Sequence, residues 1–299
     1  KNKQKNKKNM GKIVLAYSYS KELGKKVAKQ LKAKFSIIDV NCFPDGEKLI
    51  KINVNVKNKE VIIVNSLYNP DEKIIDLCLA AGTLKELKAK SITLVAPYLC
   101  YMRQDKRFHP GESISSKIIA NIINPLFNKL ITIDPHLHRY KSLGIIYKLK
   151  TTKLTANGLI GEYIKKHYKN PIIVGPDAES YQWAESVARG LKANVVVCKK
   201  IRRSSRNVEV QFNKKIDVKG KEVIIVDDII STGHTMVEAI KGIKNQKPKS
   251  ISCIAVHGLF VEGADKKLKK AGAKHIITTN TIKHVTNKID VSKLIANKL

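Results

Sequence analysis

"KEVIIVDDIISTGHT", residues Lys221 to Thr235, is the stretch on which the reading of this chain turns. Four apolar residues, Val223 to Val226, run into the adjacent acids Asp227 and Asp228, and then into a small, hydroxylated stretch containing Ser231, Thr232, Gly233, His234 and Thr235. A short, β-branched apolar run bounded by turn formers reads as a strand buried on both faces. The letters KEVIIV occur once before, at Lys59 to Val64. After each copy come a loop, a helical pattern and a strand opening Ser-Ile, SITLVA at Ser91 and SISCIA at Ser250. Such self-similarity marks an internal duplication. It also supplies a control. Where the second copy has Asp227 and Asp228, the first has Asn65 and Ser66, and SLYNPDE replaces IISTGHT. The strand is common to both halves while the acids and the small-residue loop are not, so chemistry rather than folding calls for them.

Working outward, strands are expected at 12–18, 35–41, 60–66, 91–98 and 130–136, and again at 171–177, 194–200, 222–228, 250–256 and 275–281. Helical spacing fills gaps between them, as at Ile74 to Leu87 and Thr235 to Ile243. Near-continuous apolar strands alternating with helices indicate an α/β fold with mostly parallel sheets covered on both faces. The repeat divides it into two similar domains, 10–150 and 151–299. The opening KNKQKNKKN, residues 1–9, has no apolar member and is expected to be a disordered basic extension.

Composition narrows the class. The chain has 299 residues, 43% of them hydrophobic, enough for one large or two medium cores. No apolar run approaches the roughly 20 residues that cross a bilayer. Five scattered cysteines without a C-x-x-C pair fit a cytosolic, reduced protein. The formal charge of +32 raises the question of nucleic acid. However, the lysines are spread along the whole chain rather than banded on one element, so no specific nucleic-acid partner is expected. Arginine is the better pointer to phosphate, because its planar fork meets two oxygens at once. Arg103 and Arg107 share one segment, and Arg202, Arg203 and Arg206 share another.

In open α/β sheets ligands sit beyond the carboxyl ends of the strands, where the next helix offers its amino end to an anion. Hydroxyls from Ser231, Thr232 and Thr235, with backbone amides at Gly233 and beyond, suit a phosphate. The two carboxylates beside them suit sugar hydroxyls. Together they describe a sugar phosphate; a plain helix cap is the alternative.

The stretch resembles the phosphoribosyl diphosphate loop of type I phosphoribosyltransferase folds. FPDGE (Phe43 to Glu47), PYLCYMRQDKR (Pro97 to Arg107), DPH (Asp134 to His136), GPD (Gly175 to Asp177) and KIR (Lys200 to Arg202) follow in the order of one branch, the ribose-phosphate pyrophosphokinases. The resemblance runs from about Met10 onward. It implies transfer of the β,γ-diphosphoryl group of ATP to the C1 hydroxyl of ribose 5-phosphate, with magnesium as cofactor, in a homo-oligomer of at least two subunits. Phe43, Asp45, Gly46, Glu47, Arg103, Gln104 and Asp105 would then bind ATP. His136 and Asp177, with Asp134, would hold magnesium. Asp227, Asp228, Ser231, Thr232, Gly233, His234 and Thr235 would bind ribose 5-phosphate, together with Arg202. Lys200 and Arg202 would sit on a mobile flap and serve as the catalytic cations. The chain departs from the family pattern at Ser231, commonly Asp, at His234, commonly Gly, and in LHRYKSLGI, Leu137 to Ile145, which is closer to archaeal members. The rival readings are a plain phosphoribosyltransferase, an inactive regulatory relative, and an RNA-binding regulator built on the same loop.

Overall fold

The computed structural model describes residues 11–137, 139–191, 194–202, 208–212 and 217–299, with backbone alone for 199–202 and 208–212. The expected disorder of residues 1–9 lies outside this range. Residues up to Leu154, together with Ser292–Leu299, form one compact unit, and Thr155–Val291 form the other. This division differs from the expected boundary at 150/151 at two points. The strand at 150–154 completes the first sheet, and the last eight residues return to the first unit rather than staying with the second.

In the first unit the elements are β1 (Lys12–Ala16), α1 (Lys21–Leu31), β2 (Lys34–Cys42), β3 (Lys48–Ile52), β4 (Glu60–Val64), α2 (Pro70–Glu86), β5 (Ser91–Ala96), α3 (Ser115–Ile123), β6 (Lys129–Ile133) and β7 (Lys150–Leu154). The second has α4 (Asn157–His167), β8 (Ile172–Gly175), α5 (Tyr181–Leu191), β9 (Val195–Arg202), β10 (Val208–Phe212), β11 (Glu222–Ile230), α6 (His234–Lys244), β12 (Ser250–Gly258), α7 (Ala264–Ala271), β13 (His275–Thr279) and β14 (Asn287–Ile289). The terminal α8 (Ser292–Ala296) packs on α1.

Both sheets have seven strands in the same order, β3-β2-β1-β4-β5-β6-β7 and β10-β9-β8-β11-β12-β13-β14. All neighbours are parallel except the edge hairpins β2–β3 and β9–β10. The two copies of KEVIIV are thus the central strands β4 and β11, and the duplication is visible as topology. Val61 to Val64 and Val223 to Val226 are all buried, odd and even positions alike, because helices cover both faces. On α6, Met236, Ala239, Ile240 and Ile243 make the inward stripe at spacings of three and four that anchors the helix to its sheet.

All ten expected strands are present. Four more, β3, β7, β10 and β14, were not expected. KLIKI and NKI are short and interrupted by lysines, and β10 follows a cationic run, so their apolar periodicity is weak.

Candidate active site

The second unit carries the loop that opened this reading. β11 runs two residues beyond the expected end, to Ile230, so Asp227 and Asp228 belong to the strand itself, with Asp227 paired to Ala255 of β12. Asp228 is buried, Asp227 half-buried, and the Asp228 amide donates to Asp227 Oδ1 at 2.9 Å. β8 lies beside β11, with Ile225 opposite Val174, which brings the turn after β8 to the same sheet edge. Burial, then the charge of Asp228, then that of Asp177, push the Asp227 carboxyl well above its ordinary range. These three expected site residues are therefore brought together as mutually repelling carboxylates, an arrangement that calls for a cation or for hydroxyl donors.

Between β11 and α6 the chain turns at Ser231, Thr232 and Gly233. Gly233 caps the helix in the left-handed region, at φ 74° and ψ 2°. A side chain there would be strained, and a Cβ would stand 3.2 Å from Ala264 Cβ. The first intrahelical bond runs from Val237 N to Gly233 O at 2.9 Å. The amides of His234, Thr235 and Met236 precede it and point out of the helix end, where an anion is received. Ser231 and Thr235 are half-buried; Thr232 and His234 are exposed.

Asp177 follows Pro176 in the turn between β8 and α5. Its Oδ1 accepts Ser180 N at 2.9 Å and Ser180 Oγ at 2.7 Å, and its own amide donates to Ser180 Oγ at 3.0 Å. Ser180, buried and unforeseen, thus sets the orientation of this carboxylate. Lys200 and Arg202 lie on β9, opposite Val210 and Val208 of β10. Their side chains, and residues 203–207 with Arg203 and Arg206, fall outside the described residues.

In the first unit, FPDGE forms the tip of the β2–β3 hairpin, closed by Phe43 N to Glu47 O at 2.8 Å and Gly46 N to Phe43 O at 2.9 Å. Asp45 Oδ1 accepts Glu47 N at 3.1 Å, and Gly46 takes φ 93°. Phe43 is left 52% exposed, a large ring held out at a turn. By topology this hairpin is the counterpart of β9–β10, so the segments FPDGE and KIR belong to the same element of the two repeats.

The loop between β5 and α3 presents Arg103 at the surface with Gln104 half-buried. Asp105, expected to touch ATP, is instead turned inward. It is 5% exposed and accepts Arg139 Nη1 at 2.7 Å, so its carboxylate is engaged inside the protein. Asp134, expected to help hold magnesium, is 7% exposed at φ 36°, its amide donating to Leu154 O at 2.9 Å, and His136 two residues on is half-buried. Asn65, standing where the second unit has Asp227, is fully buried. Arg139 and Tyr140 escaped the sequence reading because nothing in LHRYKSLGI has a recognisable spacing.

Among the described residues no three His, Cys, Asp or Glu side chains already form a metal-holding group. Magnesium does not need one. It keeps several waters and usually takes one or two carboxylates plus substrate phosphates. The repelling carboxylates at the ends of β8 and β11 fit that kind of donor set.

Comparison with known proteins agrees with this geometry. The model of the N-terminal domain of ribose phosphate pyrophosphokinase matches residues 12–126, and that of the phosphoribosyl transferase domain matches 142–293. A ribose-phosphate pyrophosphokinase of Methanobrevibacter smithii is 33% identical over 96% of this chain and 99% of its own length. One from Sulfolobus acidocaldarius is 35% identical over 96% of this chain and all of its own length. The crystal structure of phosphoribosylpyrophosphate synthetase from Mycobacterium smegmatis superposes with a TM-score of 0.84 at 25% identity, over 96% of this chain and 97% of that one. By its two matched domains, its full-length relatives and its fold, this chain belongs to the ribose-phosphate pyrophosphokinase family.

Proposed function

We propose that this chain transfers the diphosphoryl group of ATP to the C1 hydroxyl of ribose 5-phosphate, giving 5-phosphoribosyl 1-diphosphate and AMP for nucleotide biosynthesis. The observation that carries the reading is the contrast between the repeats. Two units of equal topology differ at the end of the central strand, where only the second has paired carboxylates and a small-residue turn opening onto free helix amides.

In this reading the second unit binds the sugar phosphate. Asp227 and Asp228 accept hydrogen bonds from the ribose hydroxyls. The helix-end amides, with Ser231, Thr232 and Thr235, hold the 5-phosphate, and His234 adds a donor beside it. The first unit binds ATP, with Phe43 against the adenine, Asp45 and Glu47 beside it, and Arg103 and Gln104 on the nucleotide. His136 in the first unit and Asp177 in the second would help hold magnesium, which would neutralise charge on the phosphate oxygens. The C1 oxygen attacks the β-phosphorus and gives up its proton to solvent, the bond from the β-phosphorus to the α,β-bridging oxygen breaks, and AMP departs carrying that oxygen. Lys200 and Arg202 meet the charge that develops, since this chemistry asks for positioning and electrostatics rather than covalent help.

An assembly of at least two copies is part of the proposal. Among the described residues, nine of the ten exposed large apolar side chains belong to the first unit, including Ile75 and Leu79 one turn apart on α2, and Ile118 and Ile122 on α3. Among the described residues no helix is long and apolar enough to cross a membrane. A cytoplasmic setting is part of the proposal, supported by five cysteines none of which is in a disulfide. Phosphorus NMR of the protein with ATP, magnesium and ribose 5-phosphate tests the function. AMP with a sugar-linked diphosphate is expected, lost in Lys200→Ala and on chelation of the metal. ADP as product would show an ordinary kinase and overturn the assignment.

A further inference from the structure

We infer that Arg139 is a positioning residue for the nucleotide, locking the Arg103–Gln104 segment in place through Asp105. This rests on the reading of that segment as ATP-binding. A carboxylate buried as deeply as Asp105 needs a counter-ion, and leaving it unpaired is costly. Arg139 Nη1 meets Oδ1 at 2.7 Å, while Oδ2 is also buried and has no hydrogen-bond partner among the described residues. The guanidinium stands over the Phe108 ring, 5.5 Å from its centroid, and Lys106 Nζ lies 4.9 Å from the same centroid. Arg139 therefore grips the loop at two points, Asp105 and Phe108.

The next residue completes the clamp. Tyr140 Oη donates to Asp105 O at 3.0 Å and pairs with Ser116 Oγ at 2.9 Å; Ser116 N donates to Gln104 O at 3.2 Å. The backbone of Gln104 and Asp105 is thus fixed from one side by α3 and from the other by the chain just past His136. With the loop's inward groups held, Arg103 is left at the surface. The clamp also links the nucleotide segment to the His136 turn within one unit. Arg is suited to this place because its planar fork can bind a carboxylate while stacking on a ring, which a lysine ammonium does not reproduce.

Calorimetric titration with magnesium-ATP, without sugar phosphate, is the test. Arg139→Gln is expected to weaken ATP on the order of tenfold, the lower end of what losing an orienting contact costs. Ribose 5-phosphate affinity should be unchanged. Asp105→Asn should reproduce the loss, and Arg139→Lys should restore part of it, since the charge on Asp105 is again met. Equal ATP affinity in wild type and Arg139→Gln overturns the inference, as does a parallel loss of ribose 5-phosphate binding, which marks general damage. If Arg139→Gln does not fold, the same comparison is made with Arg139→Lys and Phe108→Leu. Wild-type ATP affinity in both would then overturn the inference. A wild-type chain that binds no ATP removes the functional reading along with it.

Discussion

Gly233→Ala isolates the one backbone position on which the proposed phosphate cradle depends. Two terms can be worked from the structure. At φ 74° the left-handed region costs a residue with a Cβ about 1 to 2 kcal/mol. The added methyl then lies 3.2 Å from Ala264 Cβ and 3.6 Å from Leu268 Cγ, so α7 must give by a few tenths of an ångström. That adjustment sits below the ~1 to 3 kcal/mol of true overpacking. The sum is about 2 kcal/mol, and for a unit of this size it lowers the melting midpoint by roughly 6 °C. Any relief of the strain rotates the turn that aims the His234, Thr235 and Met236 amides. Ribose 5-phosphate affinity should therefore fall at least on the order of tenfold, since misplacing oriented donors is expensive. Thermal unfolding followed by calorimetry, with ribose 5-phosphate titration on the same samples, reads both. A midpoint within about 1 °C of wild type with unchanged affinity would refute the claim that glycine is required here.

Three further outcomes are expected. Burial and the charges of Asp228 and Asp177 raise the folded Asp227 carboxyl above its unfolded value of about 3.9, so its contribution is favourable at low pH and is lost as pH rises through the folded value; in metal-free urea titrations Asp227→Asn should flatten that decline and stabilise the empty protein at neutral pH, while abolishing sugar phosphate binding. Phe43→Ala, at an exposed turn, should change stability by no more than about 0.5 kcal/mol, yet weaken ATP roughly tenfold through lost stacking, which contradicts a merely structural ring if seen by calorimetry. Ser180→Ala removes buried hydrogen bonds to Asp177 and should cost about 1 to 2 kcal/mol of stability in urea unfolding, together with weaker metal affinity, read as a higher magnesium concentration for half-maximal rate.

Much of this protein is legible in one dimension. Continuous apolar runs such as Val223 to Val226 name the strands, because a parallel strand covered on both faces has no polar side to break the run. The repetition of KEVIIV names the duplication. The contrast of Asp227 and Asp228 with Asn65 and Ser66 names the working end of one sheet without any coordinates. Local chemistry also marks the turn, since a glycine among hydroxylated residues before an apolar periodicity is a helix start that favours anions.

What remained hidden depends on residues far apart in sequence. The β2–β3 and β9–β10 edge hairpins became visible only once pairing supplied the hydrogen bonds that short, lysine-interrupted strands such as KLIKI do not advertise through their pattern. The return of α8 to the first unit follows from its packing on α1, almost the whole chain away. The motif marks Asp105 as a ligand contact and gives no sign of its burial or of its bond to Arg139, 34 residues on. Periodicity and motif report which residues want to be inside or beside a phosphate. Only the packed structure decides which of several chemically suitable side chains faces the ligand and which is consumed as a neighbour's counter-ion, because a buried charge must first be matched within the protein.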